Sequence, residues 1–238
     1  MKRNCLAVYR DDKGFSVSEL LVVVAMIFIL SGFALFYLNP YQKLYVPDEE
    51  SLKIVDLLQE ARQRSLTERE TMRVEFNRDK RTVTLIDENN QMTPKSVSNA
   101  RILRVLHWLP DGELRIGYRP ADIAYDPPEP TPVPPLTFSP SVYPMSVGQS
   151  VATLRFRPFS GETGNAAVID GGTNPLGTDG NPISATIQLW SPNKDDNDKY
   201  AVARAITVVS STGSVRMWEF DQSISAPNKW KNSRRGTY

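Results

Sequence analysis

Apolar and polar residues follow three different patterns along this chain of 238 residues. Residues 15–38 are almost uniformly apolar. Residues 39–70 carry apolar side chains at helical spacing, and residues 71–220 contain short stretches in which apolar and polar positions alternate, as in half-buried strands. The pattern predicts the α+β class, with one long N-terminal helix packed on antiparallel β-sheets.

The first apolar run is long enough to cross a membrane. Its 24 residues would measure about 36 Å as a helix, against about 30 Å for the hydrocarbon core of a bilayer. Four basic residues precede it, Lys2, Arg3, Arg10 and Lys13. The first basic residue after it is Lys43, so the positive-inside rule places the N-terminus in the cytoplasm.

A single acidic residue, Glu19, lies inside this run. A carboxylate at the centre of a membrane helix costs about 2.5–3.5 kcal/mol on insertion scales, so Glu19 indicates a partner that neutralises it. A secretory signal peptide is an alternative, but it has a shorter apolar region than this run and a small-residue cleavage site, which this run lacks. A plain signal anchor is a second alternative, but it leaves Glu19 and the Gly14–Phe15 pair unexplained. A buried core helix is the third alternative, but a soluble fold rarely needs so uniform an apolar stretch.

The second region, residues 39–70, predicts an amphipathic continuation of the helix. Pro40 is expected to bend or interrupt it, and the acidic residues 48–50 mark a new helix start. The face expected to be buried consists of Leu52, Val55, Leu58, Ser65 and Leu66, broadened by Ile54, Leu57 and Ala61.

Strands are predicted at 72–77, 82–86, 102–108, 113–118, 151–157, 185–190, 201–209 and 215–220. The first two strands form a hairpin at residues 78–80, and the third and fourth form a second hairpin around Gly112. The last two strands join at residues 211–213.

Two insertions interrupt the strands. Residues 120–144 hold nine of the chain's 18 prolines and predict an exposed extended loop or spacer, or alternatively a docking strip for an aromatic groove. Residues 158–183 are rich in Gly, Asn, Thr and Asp and predict a long surface loop.

Candidate chemistry is sparse. His107 is the only histidine and lies in a predicted strand, where a structural position is expected. Residues 193–198 are rich in side-chain oxygens but match no Ca²⁺ ligand pattern, and a solvated turn is expected. The sequence contains no recognisable nucleophile–base pair, phosphate loop or metal cluster, so we predict a non-enzyme with no cofactor and no metal.

The start of the apolar run resembles the class III leader of type IV prepilins and of type II secretion pseudopilins. Lys13 and Gly14 precede Phe15, and Glu19 is the fifth residue counted from Phe15. The resemblance implies that residues 1–14 are a leader, that prepilin peptidase cleaves between Gly14 and Phe15, and that the new Phe15 amine is N-methylated. It further implies that residues 15–38 are the transmembrane and filament-core helix, with Glu19 as the filament-assembly charge.

Later segments resemble the minor pseudopilins of the GspH and FimT type. The matching stretches are residues 57–62, 73–76, 154–161 and 206–216. The resemblance implies a minor pseudopilin or minor pilin, in the tip or initiation complex of a secretion pseudopilus or type IV pilus. It implies an inner-membrane protein with a periplasmic C-terminal domain. The expected partners are other pilins or pseudopilins, prepilin peptidase and the inner-membrane assembly platform.

Composition agrees with a small exported domain. Residues 1–14 hold four basic and two acidic side chains, so the remainder has 24 basic and 25 acidic residues and no basic field that would indicate nucleic acid. The single cysteine, Cys5, lies in the predicted leader, which leaves the mature chain without a disulfide.

The basic C-terminal tail, residues 221–238, suggests a second function. Lys229, Trp230, Lys231, Arg234 and Arg235 could hold phosphates and stack a base. Some FimT-type minor pilins bind DNA in natural transformation through a Gly-Arg-x-Arg motif, which this tail lacks. A frayed basic tail is therefore the main expectation, with nucleic-acid binding as the alternative.

Overall fold

One helix, α1, runs from Val17 to Glu68 in this computed structural model. The structure describes residues 16–88, 100–110, 113–131, 133–158, 167–170, 182–192 and 200–233. Met1–Gln42 and Lys43–Tyr238 form two compact units, and α1 belongs to both. The helix continues through Asn39 and Pro40, so the predicted interruption is absent. A proline inside a helix removes one backbone hydrogen bond and crowds the preceding turn, at a cost of about 3 kcal/mol.

The C-terminal part of α1 buries most of its predicted apolar face. Ile54, Val55, Leu57, Leu58 and Ala61 are all buried, as is Ser65, whose hydroxyl donates to the Phe156 carbonyl at 3.0 Å. The prediction was wrong for Leu52 and Leu66, each of which is half exposed. At about 100° per residue these two leucines lie away from Ile54 and Leu58, on the solvent side of the helix.

Within the described residues, eleven strands follow the helix. They are β1 (Met72–Asn77), β2 (Thr82–Asp87), β3 (Arg101–His107), β4 (Arg115–Ile116), β5 (Ser139–Pro140), β6 (Ser150–Phe156), β7 (Val168–Asp170), β8 (Ala185–Pro192), β9 (Tyr200–Val208), β10 (Val215–Phe220) and β11 (Trp230–Asn232). Sheet A has the order β3-β2-β1-β6-β5, with β7 also paired to β6, and sheet B has the order β11-β10-β9-β8-β4. All these strand pairs are antiparallel, which confirms the predicted α+β class.

The first and last predicted hairpins are confirmed, and the second was wrong. β3 pairs with β2 in sheet A, whereas β4 pairs with β8 in sheet B. The chain therefore crosses from one sheet to the other after β3, and Leu114 and Ile116 are buried in the core. A turn signal between two alternating stretches indicates where the chain reverses, but it does not determine which strand becomes the neighbour.

A single core lies between α1 and one face of each sheet, called here the inner faces. Alternate residues of β1, Met72, Val74 and Phe76, point into it. Sheet B contributes Ile187, Leu189, Ile206 and Met217. Burying each such side chain contributes about 1.5–3 kcal/mol.

The Pro-rich insertion was predicted to be an exposed loop or spacer, which holds for most of its described residues but is wrong for several apolar ones. Ile123, Val133 and Leu136 are buried, and Pro135 forms a β-bridge with Thr186 of β8. Residues 120–131 and 133–136 are called here the strap. Its Ile123 joins a second apolar cluster with Trp190 and Trp218 on the outer face of sheet B, whereas its Leu136 joins the inner core. Prolines suit this segment because they favour an extended backbone and have no N–H group that needs a hydrogen-bond partner. The apolar side chains of the strap can then pack on the tryptophans.

The other insertion also contains structure. β7 lies inside the predicted loop 158–183 and pairs with β6, and the Val168 amide donates to the Ser210 carbonyl at 3.0 Å. Residues 159–166 and 171–181 of that loop lie outside the described residues.

Candidate functional site

The apolar segment Val17–Ala34 is long enough and apolar enough to span a membrane. Its mean hydropathy is 2.4, and none of its residues is buried within the chain. At about 1.5 Å per residue its 18 residues measure about 27 Å, close to the thickness of a bilayer core.

Glu19 lies in the first turn of α1 and is exposed. The amide groups of a helix N-terminus carry partial positive charge, which favours an acid there but does not neutralise it fully. The Ser16 and Ser18 hydroxyls are hydrogen bonded to each other at 2.7 Å beside it. Gly14 and Phe15, the predicted cleavage site, lie outside the described residues.

The structure does not present Trp230 for base stacking. Trp230 is 5% exposed, pairs with Phe220 across β10 and β11, and donates its Nε1 hydrogen to the Tyr125 carbonyl at 2.8 Å. Its ring packs edge-on against Phe220, with centroids 5.2 Å apart. Residues 230–232 are therefore a strand of sheet B, and the expected frayed tail was wrong for them.

The lysines beside Trp230 are engaged within the domain. Lys231 lies 3.0 Å from Asp221 Oδ2 and 3.5 Å from Glu219 Oε2, and Lys229 donates to the Gln222 carbonyl at 3.3 Å. The Ser223 hydroxyl and the Lys231 ammonium lower the pKa of Asp221 to about 2, and the same pairing raises the pKa of Lys231. Arg234 and Arg235 lie outside the described residues.

A buried charge cluster on the outer face of sheet A was not predicted. Glu88 accepts from Arg73 Nη1 at 3.4 Å and from Arg155 Nε and Nη2 at 2.9 and 2.6 Å. The Tyr143 ring covers Arg73, whose Cζ lies 3.6 Å from the ring centroid. Burial raises the pKa of the Tyr143 hydroxyl, so the side chain stays protonated and neutral.

The only sequence signal for this cluster is the presence of opposite charges on segments that become neighbouring strands. Arg73 and Glu75 alternate with Met72, Val74 and Phe76, a pattern that normally places the charged residues in solvent. Both are buried instead, and the Tyr143 ring of the loop after β5 lies over Arg73. The opposite charges on neighbouring strands, Arg155 on β6 and Glu88 after β2, are what make that burial tolerable.

Three carboxylates meet at the C-terminal end of α1. Glu68, Glu70 and Asp87 each offer an oxygen within 4.8 Å of the others. Burial, together with Asp87 and Glu68, raises the pKa of Glu70. The last turn of the helix carries no basic residue, so its dipole adds to this repulsion.

His107 is exposed at the end of β3, the edge strand of sheet A. Residues 193–199 lie outside the described residues, so the oxygen-rich loop has no structural description. Within the described residues, the candidate features are thus the apolar half of α1 with Glu19 and the exposed surfaces of the β domain.

Comparisons with protein-family models, with curated proteins and with solved structures find no match to this chain.

Proposed function

We propose that this chain is a minor pilin or pseudopilin, a structural subunit of a type II secretion pseudopilus or a type IV pilus. One observation carries the proposal. The same 52-residue helix exposes an 18-residue apolar segment at one end and contributes core residues to a two-sheet domain at the other. Such a helix can lie in lipid and later in a bundle of similar helices without refolding its domain.

The proposed sequence of events begins in the inner membrane, with the N-terminus in the cytoplasm and Lys43–Tyr238 in the periplasm. Prepilin peptidase removes residues 1–14, and the Phe15 amine is methylated. Glu19 then pairs with the Phe15 amine of a neighbouring subunit when the assembly platform moves the helix into the filament. Opposite charges attract far more strongly in apolar surroundings than in water, so this pair favours the correct axial position.

The subunit has a structural role in this proposal and catalyses no reaction. Its place is in the tip or initiation complex, where a few minor subunits contact other pilins. The exposed apolar segment supports this role because helix–helix packing would replace the lipid that covers it.

Mass spectrometry of the N-terminal peptide is the direct test. The full chain, purified from native membranes, should begin at a methylated Phe15 and copurify with other pilin-like subunits. The Gly14→Ala variant should retain residues 1–14. An intact Met1 terminus in the wild-type chain would instead indicate a signal-anchored periplasmic domain, and the proposal would fail.

A second experiment separates membrane insertion from assembly. Glu19→Ala should insert normally but enter filaments poorly, because the charge that pairs with Phe15 is gone. Glu113→Ala is the matched control, since it removes an exposed acid that lies outside the apolar segment and outside α1. Equal filament incorporation of both variants would contradict the charge-pair step.

The alternative of DNA binding is tested separately by gel shift. The full chain in detergent should not retard DNA in a salt-dependent way, because Trp230 is buried and Lys231 is paired with acids. A salt-dependent shift that disappears in the Arg234→Ala/Arg235→Ala variant would favour nucleic-acid capture through the end of the tail.

A further inference from the structure

The loop between β5 and β6, residues 141–149, presents an apolar surface that the domain core does not use. Val142 is 46% exposed, Met145 is 37% exposed and Val147 is 66% exposed. These three side chains, called here the knob, lie within six residues of one another. Single exposed apolar residues are ordinary, whereas contiguous exposed apolar surface is typical of interaction sites.

Hydrogen bonds hold this loop in one conformation. The Ser141 amide donates to the Gln149 carbonyl at 2.8 Å, and the Gly148 amide donates to the Ser141 carbonyl at 2.9 Å. The Ser141 and Ser146 hydroxyls are bonded at 2.8 Å, and Tyr143 anchors the loop over Arg73. A loop fixed in this way loses little conformational entropy when a partner binds.

Three basic side chains lie in the turn next to the knob. Arg78, Lys80 and Arg81 are exposed in the neighbouring turn between β1 and β2, and Lys80 Nζ lies 3.5 Å from the Met145 carbonyl. The one acid in the turn, Asp79, accepts from the Ser150 amide at 2.7 Å. The knob is therefore complementary to a surface on which exposed apolar side chains lie next to acidic side chains.

This chain carries such a surface on α1. Tyr45, Leu52 and Leu66 are 65%, 50% and 50% exposed, and Glu49 and Asp56 lie among them. At 100° per residue these five positions fall on one stripe of the helix, which we call the α1 stripe. It extends over residues 45–66, or about 32 Å along the helix axis.

The knob and the α1 stripe cannot meet within one chain. Helix α1 packs on the inner face of sheet A through Val74 and Phe76, whereas the loop covers the outer face through Tyr143 and Arg73. The sheet lies between them. A contact between the two surfaces must therefore join two molecules, and it is heterologous, with a different surface from each copy.

We propose that the knob of one copy docks on the α1 stripe of a second copy, with Lys80 and its basic neighbours facing Glu49 and Asp56. Because the contact is heterologous, each copy offers a different surface, and two copies can join side by side within the tip or initiation complex. The inference rests on the proposed function, for which it supplies a contact outside the membrane segment. Three apolar side chains make a weak contact, which becomes effective where subunits are already held together in a membrane.

Site-directed cross-linking in native membranes tests this contact. Two full-length chains with different tags are coexpressed, both carrying Cys5→Ser. One carries Val147→Cys in the knob and the other carries Leu52→Cys in the α1 stripe. Mild oxidation should give a disulfide-linked dimer that carries both tags. Val105→Cys, an exposed apolar position on β3, replaces Val147→Cys in the matched control and should give several-fold less product.

Charge reversal tests the orientation. Lys80→Glu on the knob chain should lower the cross-linking yield about two- to fivefold, and Asp56→Lys on the stripe chain should lower it similarly. The two changes together should restore the yield, because the ion pair is re-formed with opposite signs. Loss without restoration would contradict the proposed alignment of charges.

The N-terminal peptide of the same preparation separates the two proposals. Absence of the mixed dimer, a yield no higher than with Val105→Cys, or equal dimerisation of the Val147→Cys chain alone overturns the contact. If Phe15 is then found methylated, the proposed function stands without this contact. A mixed dimer in chains that retain residues 1–14 supports the contact and overturns the proposed function.

Discussion

Asp48 of α1 and Arg204 of β9 form a two-point ion pair that joins the helix to sheet B. Arg204 Nη2 donates to Asp48 Oδ2 at 3.0 Å, and Arg204 Nε donates to Oδ1. The guanidinium also donates to Glu219 Oε1 at 3.2 Å and to the Ala203 carbonyl at 3.0 Å. Arg204 is buried, so its charge depends on these partners.

Asp48→Ala should lower the free energy of unfolding by about 1.5–3 kcal/mol, because a buried guanidinium loses two charge-assisted hydrogen bonds. Urea unfolding of the full chain in mild detergent, followed by tryptophan fluorescence, measures this change. Glu49→Ala is the matched control: it removes an exposed acid whose partner is Lys53 and should cost about 0.5 kcal/mol or less. Equal effects of both variants would show that the Asp48–Arg204 pair adds no particular stability.

Tyr143→Ala should destabilise the domain by about 3–5 kcal/mol, the usual cost of truncating a buried aromatic residue. The change also uncovers Arg73, whose guanidinium stacks on the Tyr143 ring. The same urea titration measures it, with Val142→Ala at the neighbouring exposed position as control, expected within about 0.5 kcal/mol of wild type. If the two variants were equally stable, the loop would not be anchored through Tyr143.

Trp230→Ala should destabilise the domain by about 3–5 kcal/mol because its ring fills the outer cluster of sheet B. Ser225→Ala, at an exposed position in the same segment, is the control and should have little effect. The midpoint of thermal unfolding, read by circular dichroism, checks both. If Trp230→Ala left the stability unchanged, the Trp230 ring would not be part of the folded domain.

Glu70→Gln should stabilise the chain at pH 7 in a way that depends on pH. The pKa of Glu70 is raised above its ordinary value of 4.5, first by burial and then by Asp87. The folded state therefore binds this proton more tightly than the unfolded state, and ionising the group opposes folding as pH rises. The glutamine removes that penalty.

The stability difference between Glu70→Gln and wild type should shrink as pH falls below 4.5, where the carboxyl is protonated in both states. Urea titrations at several pH values measure this, with the exposed Glu113→Gln as the baseline substitution. A difference that does not change with pH would contradict the repulsion described for this cluster.

The pattern of apolar residues was sufficient to predict the elements that depend on local sequence. Helical spacing identified the buried face of α1, including Ile54, Leu57 and Leu58, and period-two alternation identified β1, β2, β6, β8, β9 and β10. The hairpins β1–β2 and β9–β10 were also predictable, because a short turn leaves adjacent strands no other convenient partner.

Only the tertiary structure decided which segments lie over the outer faces of the sheets. Composition alone made the Pro-rich insertion an exposed spacer and residues 228–233 a frayed tail, yet Ile123, Tyr143 and Trp230 are buried. Each side chain becomes buried only because a folded sheet offers its outer face. The local spacing of apolar residues does not predict that burial. The pairing of β4 with β8 is of the same kind, since its two strands lie about 70 residues apart in sequence.

The sequence by itself determined the membrane-length apolar segment with Glu19, because length and hydropathy are properties of a continuous stretch. The tertiary structure alone decided that Arg73, Glu88 and Arg155 form a buried cluster and that the knob and the α1 stripe lie on opposite sides of sheet A. The physical reason is that burial and charge pairing depend on residues far apart in the chain, which only the folded sheets bring together.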